Sequence, residues 1–322
     1  PIVRLKRQTS QAPIKRGYPW VYYNEIVLDR RTKAIQAGQI VQVQSSSRIP
    51  IATAAFNVNS KITLRILDLT PNQKIDLHWM SLRIKVAFDL RERIFDAPFY
   101  RLVHAEADGL PGIIIDRFGD ICAIQPNAAW ADRYFEVVCE ALESVVPLKT
   151  IIKNTSGRAR KLEGLEDESA LMKGTWPEKP IPIPMNGAIY MADLADGQKT
   201  GLFFDQRPNH AFGACLAKGA RVLDVFSHVG GFGLAALAGG ASSALAVDAS
   251  QAALELAQQG ASLMGLEKQF SIRKGDAFDV MVALMEEGAE FDVVICDPPA
   301  FAASKKALDA GLRAYEKLAR MA

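Results

Sequence analysis

The sequence predicts an α/β protein. A doubly wound domain on a parallel sheet follows a small, mostly β unit and a small central α/β unit. Three observations carry this expectation. After residue 184, apolar strand-like segments alternate with helical ones, the pattern of parallel strands joined by crossover helices. Four of those segments finish on or just before an acid: Asp224, Asp248, Asp276 and Asp297. Residues 1–70 instead carry short segments of period two separated by turn residues.

In the first unit, 1–72, Gln39–Gln44 and Lys61–Leu67 alternate apolar and polar residues. Gly38 and Ser45–Ser47 are turn signals. In the central unit, 73–180, Leu82, Val86, Leu90 and Ile94 recur at helical spacing, which predicts an amphipathic helix over 82–94. Strands are expected at Gly112–Asp116 and Ile121–Ile124 around a Phe-Gly-Asp turn, then a helix over Trp130–Leu142 and a strand at Lys149–Lys153. Pro177, Pro180, Pro182 and Pro184 break structure and mark a boundary. In the last unit, 181–322, the expected strands are Val222–Val225, Ala244–Val247, Phe270–Arg273 and Phe291–Cys296. Leu234–Ala238 and Gln251–Met264 fall on helices. There is no internal repeat and no low-complexity segment.

Composition bounds the function classes. The chain has 322 residues, 49% of them apolar, enough for a sizeable core. No apolar run approaches the roughly 18 to 20 residues that cross a bilayer, and no basic-then-apolar leader is present. Position 1 is Pro, so the amino end is expected to be trimmed. Cys122, Cys139, Cys215 and Cys296 are scattered without a CxxC pair, which argues against a disulfide framework and against zinc. The expectation is a reduced, cytoplasmic enzyme with no metal and no membrane contact.

The net charge of +2 hides an asymmetry. Residues 1–70 carry +8, residues 71–180 carry −2 and residues 181–322 carry −4. The excess lies in short clusters: Arg4, Lys6, Arg7, Lys15 and Arg16, then Arg30, Arg31 and Lys33. A basic module on an acidic catalytic region points to a nucleic acid as partner.

The stretch Arg221-Val-Leu-Asp-Val-Phe-Ser-His-Val-Gly-Gly-Phe232 reads as a buried strand, a glycine loop and a helix start. Gly230, Gly231 and Gly233 would let backbone pass close to a ligand, and the helix offers free N–H groups to a carboxylate. The spacing is not GxGxxG. Asp248 lies 24 residues after Asp224, where an acid meets a ribose diol. Asp276, in Gly-Asp-Ala-Phe, can meet an adenine amine. The order points to S-adenosylmethionine and away from a dinucleotide. The plainer alternative for each acid is a helix N-cap.

Asp297-Pro298-Pro299 follows an apolar strand, and the prolines fix the backbone that aims the acid. Ala300 stands where methyltransferases that attack an exocyclic amine carry an aromatic, with Phe301 one later. That disfavours an amino-group acceptor. Cys296, on the apolar strand, reads as an inert buried thiol more than as a nucleophile. His228 shapes the loop, and His104 has no metal partner in sequence.

Four stretches together resemble the bacterial ribosomal RNA large-subunit cytosine-C5 methyltransferase family: Tyr100–Asp120, Gly197–Arg207, the Asp224 loop and Asp297-Pro-Pro. The resemblance spans essentially the whole chain. It implies a PUA-like RNA-binding domain, a central α/β domain and a Rossmann-like, S-adenosylmethionine-dependent methyltransferase domain. Carried over, Lys199, Thr200, Gly201, Asp205 and Arg207 would close over the cofactor. Asp224, Phe226, Ser227, Gly230, Gly231 and Phe232 would line its methionine side. Asp248, with Ala249 and Ser250, would take the ribose, and Asp276, Ala277 and Phe278 the adenine. Asp297, next to Pro298, would face the target base. Relatives in the family tend to pair, so a homodimer is expected.

Two departures stand out. The loop reads Phe226-Ser-His-Val-Gly-Gly231 where the family more often has Phe-Ser-Tyr-Thr-Gly-Gly. The family's nucleophilic cysteine sits in a Ser-Cys-Ser stretch on a later strand, expected past Ala322. The expected reaction is methylation of cytosine carbon 5 in ribosomal RNA. Another RNA position, a tRNA, or a non-catalytic role in RNA binding and ribosome assembly are the alternatives.

Overall fold

The computed structural model describes every residue except 196–200 and 303, and the side chain of residue 158. Among the described residues, Pro1–Trp176 form one compact unit and those from Pro177 onward a second.

The first unit opens with β1 (Ile2–Arg4), α1 (Ala12–Lys15), β2 (Trp20–Tyr22), α2 (Arg30–Lys33), β3 (Gln39–Gln44), β4 (Pro50–Phe56) and β5 (Ile62–Asp68). The strands form one sheet in the order β1-β3-β4-β5-β2. Period two decides its faces: Val41 and Val43 are buried with Val3, Phe56 and Leu64, while Gln42 and Gln44 lie on the other side.

Next come α3 (Leu77–Ile94), β6 (Phe99–His104), β7 (Ile113–Phe118), β8 (Ile121–Pro126), α4 (Ala129–Arg133), α5 (Phe135–Val145), β9 (Thr150–Lys153), α6 (Arg158–Glu163) and β10 (Ala170–Lys173). The second sheet runs β10-β9-β8-β7-β6. The expected helix over 130–142 is two helices, broken at Tyr134.

The expected apolar face of α3 is the wrong one. Leu82, Val86, Leu90 and Ile94 are all about half exposed or more. The helix starts earlier, capped by Asp76, and turns Trp79, Met80, Ile84 and Ala87 into the core against Tyr100, Leu102 and Leu110. A second set of apolar residues one turn-fraction away carried the same period, and burial of the larger Trp79 decided between them.

A buried acid ties the two sheets. Glu163, 3% exposed, accepts hydrogen bonds from Ser60 Oγ at 2.6 Å, Arg65 Nη2 at 2.9 Å and Asn57 Nδ2 at 3.0 Å. The Ala129 N–H adds a fourth at 3.3 Å. Arg65 also reaches Glu106, which accepts from the Trp20 indole.

The second unit begins with β11 (Ile181–Met185) and β12 (Ala188–Ala192), an antiparallel hairpin. Here too an expectation fails: Pro182 and Pro184 lie within β11 instead of breaking structure. They are tolerated because β11 is an edge strand with one partner. Then follow α7 (Arg207–Leu216), β13 (Arg221–Val225), α8 (Gly231–Ala238), β14 (Ser243–Asp248), α9 (Gln251–Leu263), β15 (Phe270–Lys274), α10 (Ala277–Glu286), β16 (Val293–Cys296) and α11 (Leu308–Met321). All four sheet strands are parallel, in the order β15-β14-β13-β16. α10 and α11 cover Leu223, Val225 and Val247 on one face. The opposite face carries Asp224, whose carboxylate meets the start of α8. The chain reverses direction across the sheet between β13 and β16, so a crevice opens at their carboxyl ends.

Replacing Glu163 tests the tie in the first unit. Burial alone would raise its pKa, but Arg65, Ser60 and Asn57 outweigh it and hold it below the usual carboxylate range. Its contribution is therefore present above about pH 4.5 and is lost as the pH falls below that. Glu163→Gln should cost about 3 kcal/mol at pH 7, read from urea unfolding, and should remove that acid limb.

Candidate functional site

The site is built on the carboxyl ends of β13, β14 and β16. Asp224 is the next-to-last residue of β13 and is fully buried. Its Oδ2 accepts the Gly233 N–H at 2.7 Å, and the Phe232 N–H also points to the carboxylate. Its Oδ1 is buried without a partner. Burial pushes its pKa up to about 7 against those two N–H groups, with Asp297 and Asp248 adding to the rise.

The loop after β13 is bent by left-handed residues. Phe226 has φ 64°, His228 φ 49° and Gly230 φ 76°. Two of the three are not glycine, and such strain clusters at ligand sites. Ser227, 5% exposed, donates its N–H to the Val247 carbonyl, and its Oγ has no partner. The glycines also make room for neighbouring helices. A Cβ at Gly230 would lie 2.9 Å from the Ala257 Cβ, and one at Gly231 would lie 2.6 Å from His210 Nε2. They allow α7 and α9 to pack against the loop.

Asp248 ends β14 and ties two loops: Oδ2 accepts the His228 N–H at 2.9 Å and Oδ1 the Ser250 N–H at 2.8 Å. Ala249 lies between, and Ser250 caps α9. Asp276 is the N-cap of α10, its Oδ1 accepting from Phe278 and Asp279. The capping alternative is thus realised there, beside buried Ala277. Phe278 belongs to an aromatic group with Phe301 at 6.0 Å, which lies 6.2 Å from Phe226 and 4.8 Å from Tyr315. Lys317 Nζ sits 4.8 Å from the Phe278 ring centre.

Asp297 follows β16, and its N–H reaches the Val225 carbonyl. Its Oδ2 accepts from Gln206 Nε2 at 3.0 Å, and Gln206 Oε1 accepts from Asn209 Nδ2 at 2.6 Å. Asn209 thereby fixes which end of the Gln206 amide faces the acid. Desolvation, with Asp205 adding, raises the Asp297 pKa. Pro298 continues the turn beyond it. Cys296 is half-buried, and burial with nearby Asp224 pushes its thiol up to about 11. It is protonated at neutral pH, in line with an inert thiol.

The segment before α7 contributes less directly. Gly201 has φ 80° and packs against the Asp193 carbonyl. Arg207 opens α7, its Nε 3.4 Å from Asn186 Oδ1 in the β11–β12 turn. Asp205 acts on Asp297 and His210 through its charge. Lys199 and Thr200 lie outside the described residues. Two residues escaped sequence reasoning: Gln206, flanked by the expected Asp205 and Arg207, and His210. His210 is 4% exposed, stacks edge-on to Phe232 at 4.6 Å, and is held neutral by burial, its pKa near 4.

An S-adenosylmethionine would fit this set. Its ammonium would bring donors to Asp224 Oδ1 and Ser227 Oγ, buried oxygens without a partner.

Comparison with known proteins agrees. The family of PUA-like domains matches residues 3–69, and that of S-adenosylmethionine-dependent methyltransferases matches residues 167–320. "Ribosomal RNA large subunit methyltransferase I" of Aeromonas salmonicida is 33% identical over 311 residues, 95% of this chain and 78% of its own. The protein of the same name from Vibrio cholerae is 35% identical over 315 residues, 96% and 79% of the two chains. Among solved structures, a SAM-dependent methyltransferase from Streptococcus mutans superposes with a TM-score of 0.80 at 22% identity, covering 97% of this chain and 82% of that one. A methyltransferase complexed with SAH superposes at 0.79 and 22%, covering 95% and 77%. At that identity the likeness concerns the fold.

Two measurements check this geometry. Gly230→Ala combines a left-handed φ with a clash on Ala257, so it should cost about 2 kcal/mol in denaturant unfolding. For Asp224 the folded pKa is raised. Its contribution to stability is present below about pH 4 and lost as the pH rises through about 7. Asp224→Asn should flatten that part of the stability–pH profile; an unchanged slope would show that Asp224 does not titrate there.

Proposed function

Because this chain belongs to the ribosomal RNA large subunit methyltransferase I family and is an S-adenosylmethionine-dependent methyltransferase, we propose that it methylates carbon 5 of a cytosine in ribosomal RNA. The observation that carries the choice of acceptor is Asp297, its pKa raised and one oxygen held by Gln206. The carboxyl can meet the base through its other oxygen while Gln206 holds the first. There it would hold the pyrimidine as a thiolate adds to carbon 6 and electron density moves onto the ring.

The cofactor supplies a methyl group on a positively charged sulfur. Asp224 and Ser227 receive its ammonium, Asp248 with Ala249 and Ser250 meets the ribose, and Phe278 with Ala277 and Asp276 borders the adenine. Phe226, Gly230, Gly231 and Phe232 shape the methionine side, and Gly201, Asp205 and Arg207 border the cofactor from the chain that precedes the sheet; Lys199 and Thr200, assigned the same role, lie outside the described residues. None of the four cysteines suits the nucleophile. Cys122 is buried with its pKa driven up, Cys139 is pushed up to about 12, Cys296 is protonated, and Cys215 lies exposed on α7. The reading assigns the role to none of them. Residues 1–72 grip phosphates with their +8 charge without reading sequence, residues 73–180 form a middle domain, and 181–322 carry the chemistry. On this reading the protein works in the cytoplasm.

The test incubates the full-length protein and its Asp297→Ala variant with labelled S-adenosylmethionine and unmethylated RNA, then separates the nucleosides. Label should appear in 5-methylcytidine from ribosomal RNA. At saturating cofactor the variant should transfer it about 10²-fold or more slowly. Label in another nucleoside, or in tRNA, would move the acceptor. Cofactor binding without any transfer would favour the RNA-binding alternative.

A further inference from the structure

The first unit carries a stripe of aromatic rings on its surface. β2 is an edge strand, and its partner in the sheet is β5. Val21 is buried, so its neighbours Trp20 and Tyr22 share the outer face, and Tyr18 continues that alternation just before the strand. The three rings form one group. Tyr18 lies edge-on to Trp20 with centroids 6.0 Å apart, and its hydroxyl is 3.4 Å from that of Tyr22. Tyr18 is 43% exposed. The Trp20 indole donates to Glu106 Oε1 at 2.9 Å, and Arg65 Nη1 meets the same oxygen at 3.1 Å. The rings are thus held in place before any ligand arrives.

Cations border the stripe at both ends. α1 delivers Lys15 and Arg16 through the turn at Gly17 to Tyr18, whose N–H donates to the Pro13 carbonyl. At the other end the Tyr23 N–H donates to the Lys61 carbonyl, and the Lys6 N–H to that of Glu25, which brings Lys6 and Arg7 alongside. Arg7, Lys15, Arg16 and Lys61 are exposed and, among the described residues, none of them is in an ion pair. Glu25, the acid of this stretch, accepts the Tyr22 N–H at 2.8 Å.

We propose that Tyr18, Trp20 and Tyr22 are a stacking platform for unpaired nucleotides of an RNA, with the flanking lysines and arginines receiving its phosphates. The inference rests on the reading of residues 1–72 as an RNA-binding unit and adds what that unit selects. Phosphate contacts alone hold duplex and single strand alike. A ring face takes a base only when the base is free of a helix, and it does so without reading sequence. Strand preference would account for Trp20 and Tyr22. It does not account for Tyr18, which precedes β2 and lies against their rings.

The test measures binding of the full chain to a short fluorescently labelled RNA, single-stranded or annealed to its complement, over a range of salt concentrations. Tyr18→Ala and Tyr22→Ala should each weaken the single strand about tenfold and leave the duplex unchanged, with the salt dependence intact. Tyr18→Phe and Tyr22→Phe keep the ring and should bind as the wild type does. Lys15→Gln should instead weaken both RNAs and lower the salt slope on the single strand by about 0.7. Urea unfolding checks each variant; should Tyr22→Ala fail to fold, the exposed Tyr18 decides alone. Equal losses on both RNAs from Tyr18→Ala would indicate a structural role, and unchanged single-strand binding would assign the stripe to a protein contact. Either result would overturn the inference and leave the RNA-binding reading standing. Binding of neither RNA by the wild type would remove both.

Discussion

The second unit is organised around one buried carboxylate. An acid with no access to water is costly unless donors meet it, and Asp224 meets two at the first turn of α8. That requirement fixes where α8 begins, which forces the loop from β13 to turn back sharply over Ser227. Phe226 and His228 accept left-handed backbone to make the turn, and Gly230 is needed where a Cβ would strike α9. His210 then fills the space beside Gly231, and Tyr190 donates to the Gly231 carbonyl from behind. The order of the strands places this point beside the crevice at the carboxyl ends of β13 and β16.

Glu163 makes the contrast instructive. Both acids are buried, yet burial is outweighed at Glu163 and wins at Asp224. At Glu163 a guanidinium, a hydroxyl, an amide and a backbone N–H occupy the carboxylate. At Asp224 one oxygen is left without a donor and the neighbouring charges are like ones. A saturated buried acid holds a structure together. An unsaturated one, flanked by two more, keeps an affinity for something positive.

How much was legible in sequence follows from the range of the forces involved. The four parallel strands were readable because each is a short run with an acid near or just past its end, and β3 and β5 because period two is local. The face of α3 was not: two apolar sets share its period, and only the partners supplied by β6 and β7 choose between them. Pro182 and Pro184 were misread because their tolerance depends on β11 having a single neighbour. Among site residues, the strand-end acids declared themselves, while Gln206 and His210 did not. A glutamine becomes informative only when an acid 91 positions away lies within 3.0 Å of it. Likewise nothing in the sequence shows that Gly230 and Gly231 are also packed against Ala257 and His210.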